Sequence, residues 1–143
     1  MENLRNISEG GEILSRGIGI SLEKEGRRYQ ELDLGPHASG WVIHWEPGHD
    51  TGWHDHGGSS VTIVCVSGRL REEYGFSPNS GVSRTLVPGQ TVTLTANELH
   101  RVLPDVKATA IHIYTPKLEV MNIFDNNGFV ESQTADKELN ASR

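Results

Sequence analysis

The sequence predicts an all-β fold, a single small barrel or sandwich, on three observations. Between Glu12 and Asp125 the chain divides into short runs rich in β-branched and aromatic residues. Glycine and proline fall between those runs, where strands must turn. No segment there carries the sustained apolar periodicity of a long amphipathic helix. At 143 residues, without a repeat or a linker, the chain has the size of one domain.

The elements follow in order. Residues 1–12 are polar and reach Gly10-Gly11, reading as an N-terminal arm, with the barrel domain expected over 13–130. Glu31-Leu32-Asp33-Leu34 alternates polar and apolar, and Gly35-Pro36 ends it. Trp41-Val42-Ile43-His44-Trp45 is a second strand, stopped by Pro47-Gly48. Val61 to Val66 is a dense β-type run closed by Ser67-Gly68, and Arg69 to Tyr74 is expected to return beside it as a hairpin. Phe76 to Gly81 reads as a surface turn. Strands are then expected at Thr91–Thr95, at His100–Leu103 before Pro104, and at Ala108–Tyr114 before Pro116. Residues 131–143 are expected to form a polar, mobile tail.

Composition excludes several classes. The net charge is -6 and there is no basic run, so nothing marks a nucleic-acid or anionic-membrane surface. No stretch has the length of a membrane-spanning helix, and the start lacks a secretory pattern, so a cytoplasmic protein is expected. Cys65 is the only cysteine, which rules out an internal disulfide. Inside its apolar run it reads as a small buried hydrophobe.

The chemistry lies in the histidines. His54 and His56 flank Asp55, and side chains two apart on a strand point to one side. A third histidine such as His100, if its distant segment is brought beside them, completes one face of a metal's coordination shell. Three neutral imidazoles hold a divalent first-row ion and leave positions open for substrate and oxygen. No acidic residue near the pair is placed as a fourth ligand. By affinity, imidazole suits nickel, cobalt and copper as well as iron(II). The other histidines read as structural: His49 shaping the loop, His44 packed on a strand, His37 exposed. Trp41, Trp45 and Trp53 are expected to fill the barrel or line its mouth.

Gly48 to His56, followed by Val61 and Gly68, resembles the first motif of the cupin superfamily, in which a glycine precedes His-x-His and a later glycine closes a turn. The position of the usual glutamate ligand falls on Val61. The second motif's histidine matches His100, with Thr95 and Asn97 where proline and glycine are usual. The resemblance implies a single cupin (small jelly-roll) β-barrel with His54, His56 and His100 as its ligand set.

The chain is more closely similar to the cysteine dioxygenase family of thiol dioxygenases. The similarity rests on Trp53-His54-Asp55-His56 with Ser60, on Val66 to Glu73, on His100-Arg101-Val102, on His112-Ile113-Tyr114-Thr115-Pro116, and on Phe124-Asp125. It implies iron(II), with a small thiol and dioxygen as partners and sulfinate as product. L-cysteine is the leading substrate. The alternatives are 3-mercaptopropionate, a different oxidative outcome with cleavage in specialised metabolism, or a non-catalytic metal- or ligand-binding cupin. Within the family, the histidine matching His112 supports the tyrosine matching Tyr114, whose hydroxyl points at substrate and oxygen. Arg28, with Arg27 as the neighbouring alternative, matches the arginine that holds the substrate carboxylate. Two departures stand out. Ala110 replaces a serine, removing a hydroxyl near His112, and Val61 replaces the cysteine that animal members couple to the tyrosine, as in bacterial members without the crosslink. A monomer or a homodimer is expected.

Overall fold

The structure, a computed structural model, describes residues 21–24 and 27–134. The expected arm at 1–12 and the end of the expected tail, 135–143, lie outside the described residues. Among the described residues, two six-stranded sheets make up the fold. The first joins, from edge to edge, β1 (Ser21–Lys24), β2 (Arg27–Leu32), β3 (Ser39–Trp45), β10 (Ala108–Thr115), β5 (Ser60–Ser67) and β8 (Thr91–Leu94). The second joins β12 (Gly128–Thr134), β11 (Val120–Asp125), β4 (Trp53–Asp55), β9 (Leu99–Val102), β6 (Leu70–Gly75) and β7 (Val82–Leu86). Every neighbouring pair is antiparallel. This is the two-sheet arrangement of a jelly roll. Among the described residues no helix is long and apolar enough to cross a membrane.

Alternation of side chains builds the interior. Trp41, Ile43 and Trp45 of β3, Val61, Ile63 and Cys65 of β5, and Leu70, Leu86 and Val102 of the opposite sheet share one buried cluster. Trp41 and Trp45 therefore fill the barrel, as expected. Leu32, Val42 and Ile111, of opposite parity, form a smaller buried cluster on the other side of the first sheet. Apolar residues thus line both faces of β2 and β3.

The hairpin expected between Val61–Val66 and Arg69–Tyr74 does not form. β5 pairs with β10 and β8, whereas β6 pairs with β9 and β7. The turn at Ser67-Gly68 carries the chain from one sheet to the other. Its physical cause is visible at Gly68, which has φ 75° and lies so close to Lys107 that an added Cβ would meet that residue's carbonyl oxygen. A turn pressed against a third segment, the start of β10, cannot simply fold β6 back beside β5. The tail boundary drawn at residue 131 also moves, because β12 runs on to Thr134.

The Gly68 turn yields the first prediction. Gly35 has φ 84° but open space around it, so Gly35→Ala should cost about 1–2 kcal/mol from backbone strain alone. Gly68→Ala should cost clearly more in a denaturant titration, because the Lys107 carbonyl must also be displaced. Equal losses would show that the close approach is unimportant.

Candidate metal centre

The second sheet brings the histidines together. His54 lies on β4, His56 follows directly after it, and His100 stands opposite His54 on β9. All three are buried. Ring centroids lie 4.5 Å apart for His54 and His100, 4.9 Å for His56 and His100, and 5.0 Å for His54 and His56. One ring nitrogen from each residue can be chosen so that all lie within 4.8 Å of one another. Asp55, between the pair, faces the other way. Its carboxylate accepts from the Gly57 amide at 2.9 Å and from Asn122 at 2.7 Å, tying the ligand strand to β11.

Local sequence orients each ring. His54 donates from Nδ1 to the Gly52 carbonyl at 2.9 Å, which leaves Nε2 for an ion. Gly52 has φ 75°, its amide donates to Asp50 at 2.8 Å, and the neighbouring Thr51 amide donates to the Val102 carbonyl at 3.1 Å. The ligand loop is thereby fastened to β9, the strand carrying His100.

His100 donates from Nδ1 to Oε1 of Glu72 at 2.7 Å, again leaving Nε2 available. The other carboxylate oxygen of Glu72 accepts from Nε of Arg84 at 2.6 Å. Burial acts to raise the Glu72 carboxyl, but His100 and Arg84 outweigh it and hold it below the usual carboxylate range. Sequence reasoning missed this pair. Glu72 was visible only as an acid of the same parity as the apolar Leu70, on a strand assigned the wrong partner.

His56 supplies the test of fit. Among the described residues, neither of its buried ring nitrogens has a hydrogen-bond partner. Burial, then the neighbouring His100, His54 and His112, push its pKa well below the ordinary histidine value, so the ring is neutral. A buried polar nitrogen left unpaired costs about 1–3 kcal/mol. A cation shared with two imidazoles removes that cost, so these residues fit a metal.

The first sheet closes the site from the other side. His112 and Tyr114 both point inward from β10 and are buried. The Tyr114 ring lies 5.1 Å from that of His56 and 6.4 Å from that of His112. Val61 of β5 stands opposite Tyr114 in register, and Ala110 stands opposite Cys65. Trp45 packs beside His112 and His49, with ring centroids 6.0 and 5.7 Å away.

Arg28 is not gathered with these groups. It is exposed and pairs with His44, while its neighbour Tyr29 points into the core. Arg27 occupies the register position opposite Trp45. His44 contacts the Thr109 hydroxyl through Nδ1 at 3.0 Å. Burial, then the nearby Arg28 guanidinium, lower its pKa from the ordinary value. His37 is exposed and Cys65 is buried, its thiol pKa raised by burial.

The placement of Arg28 is testable by titration. Arg28→Ala should raise the His44 pKa, because it removes a positive charge that opposes protonation. A folded pKa below the unfolded one leaves stability intact above pH ~6.5 and erodes it as pH falls further. The variant should therefore lose less stability on acidification. An unchanged His44 titration, followed by NMR, would mean that Arg28 points elsewhere.

Comparison with known proteins agrees with the geometry. The sequence model of the family described as cysteine dioxygenase type I matches residues 18–127. KdgF from Halomonas sp. matches with TM-score 0.60 and 16% identity, over 68% of this chain and 87% of that one. An RmlC-like cupin from Shewanella frigidimarina matches with TM-score 0.60 and 17% identity, over 68% and 83%. Ectoine synthase from P. lautus matches with TM-score 0.60 and 15% identity, over 73% and 76%. At such identities these structures show the fold, a cupin barrel. None of the curated proteins matches the chain by sequence. With a three-histidine metal-binding site inside that barrel and a family match across most of its length, the chain belongs to the cysteine dioxygenase type I family, a family of oxygen-incorporating oxidoreductases.

Proposed function

We propose that this chain is an iron(II) thiol dioxygenase that converts L-cysteine to its sulfinate, both atoms of dioxygen ending on sulfur. The observation that carries the reading is the buried three-histidine cluster with Tyr114 against it. Held by His54, His56 and His100, iron(II) would keep its full charge, bind the anionic thiolate and bring dioxygen beside it.

The remaining work falls to the chain's own groups. Tyr114 offers a hydroxyl that donates to charge developing on oxygen without ionising at neutral pH. His112, two residues earlier on the same face, is assigned to orienting that hydroxyl. Val61 has no thiol to offer its register partner Tyr114, which supports a free phenol and a member without the crosslink. Trp41, Trp45 and Ile63 wall the interior with apolar surface and keep bulk water from the reacting groups.

For the substrate carboxylate the register favours Arg27 over Arg28. Arg27 lies opposite Trp45, a core residue, whereas Arg28 lies opposite His44 and is exposed. A guanidinium fork matches a carboxylate through two parallel hydrogen bonds. A reduced thiol substrate fits a reducing compartment, and we place the reaction in the cytoplasm.

The test is anaerobic loading with iron(II), exposure to labelled dioxygen with L-cysteine or 3-mercaptopropionate, and mass spectrometry of the product. Cysteine sulfinate carrying two labelled oxygens is expected. Sulfinate from 3-mercaptopropionate alone would change the substrate, and a cleaved carbon skeleton would change the reaction. No oxygen uptake with any small thiol would overturn the proposal. Tyr114→Phe should keep its iron and lose about 10²–10³ in kcat, the usual cost of one such donor. Arg27→Ala should raise KM at least tenfold, while Arg28→Ala leaves it within about twofold, in steady-state assays.

A further inference from the structure

We propose that Glu72, balanced by Arg84, is a positioning residue that sets the donor strength of His100 and supplies the metal centre with negative charge from behind a ligand. The inference rests on the metal site and not on the reaction assigned to it.

The three rings are supported unequally. His54 donates to a neutral carbonyl, His100 to a carboxylate, and His56 has no hydrogen-bond partner on either nitrogen among the described residues. A carboxylate that accepts the Nδ1 proton of an imidazole makes the other nitrogen more basic, hence a stronger ligand. Charge-assisted bonds of this kind are roughly twice as strong as neutral ones. Glu72 and His100 each have 1% of their side-chain surface exposed, so water does not weaken the contact.

Arg84 works against Glu72. Its guanidinium holds the second carboxylate oxygen and lies 3.7 Å over the ring of Tyr74, which stands opposite His100 in register. Stacking and ion pairing fix its position. Register places Arg84 directly opposite Glu72 on the adjoining strand, so the contact is part of the sheet itself. The motif's usual acidic ligand is absent at Val61, and Glu72 delivers a negative charge one bond further out. Arg84 decides how much of that charge His100 feels.

The two residues make predictions of opposite sign. Cobalt(II) affinity is measured without thiol or oxygen, by chelator competition and the visible cobalt spectrum, with thermal melts of the metal-free proteins beside it. Glu72→Gln, which keeps an acceptor oxygen and removes the charge, should weaken cobalt(II) binding about 10–100-fold. It should also raise the iron(III)/iron(II) potential. Arg84→Gln, which leaves the carboxylate unbalanced, should lower that potential. Glu72→Gln binding cobalt(II) within threefold of the parent would overturn the proposal. So would potentials that move in the same direction in both variants. If Glu72→Gln fails to fold, Arg84→Gln decides alone: a lowered potential supports the proposal and an unchanged or raised one overturns it. Because no thiol is present, failure of the dioxygenase assay and failure of this test are separate results.

Discussion

Three imidazoles held in an apolar interior are the constraint on which the rest of this structure depends. A buried polar nitrogen must find a partner, and the described residues offer His56 none. A shared divalent cation resolves this, provided the rings are aimed before it arrives. The chain aims them through the Gly52 carbonyl behind His54 and the Glu72 carboxylate behind His100. Strand pairing does the rest, since antiparallel register places His54 and His100 face to face.

The two sheets divide the labour. The second sheet carries the three histidines, with Glu72 and then Arg84 behind His100. The first sheet carries His112 and Tyr114 on β10, which face the cluster across the interior. β10 is a central strand, paired on both sides by β3 and β5. A hydroxyl mounted on such a strand is held more rigidly than one on a loop. Variation along β5 and β10, as at Val61 and Ala110, can therefore change the setting of Tyr114 while the ligand set stays as it is.

The ligand pair was legible because a period of two is unambiguous over three residues. His100 was legible only through its motif, since nothing in its own segment reports a neighbour from β4. Glu72 stayed hidden for a physical reason. Ser67-Gly68 signals a turn, and the same signal serves a hairpin or a crossing between sheets. Placing β6 beside β5 removed Glu72 from the neighbourhood of His100. Arg28 and Arg27 stay alternatives in the sequence for a related reason. Tyr29 points into the main core and Leu32 into the smaller cluster on the opposite face, so apolar residues of β2 mark both sides. A one-residue slip in phase exchanges Arg27 and Arg28. The edge strands β7 and β12 are largely polar and exposed, and gave no periodic signal to find.

The account stands on a single ion shared by residues 54, 56 and 100. Anomalous diffraction from a crystal of the protein grown with iron(II) under nitrogen measures this directly. One peak per chain, bounded by the three imidazoles with Glu72 still on Nδ1 of His100, is the result the account predicts. A peak elsewhere, or one coordinated by the Glu72 carboxylate in place of His100, would contradict it.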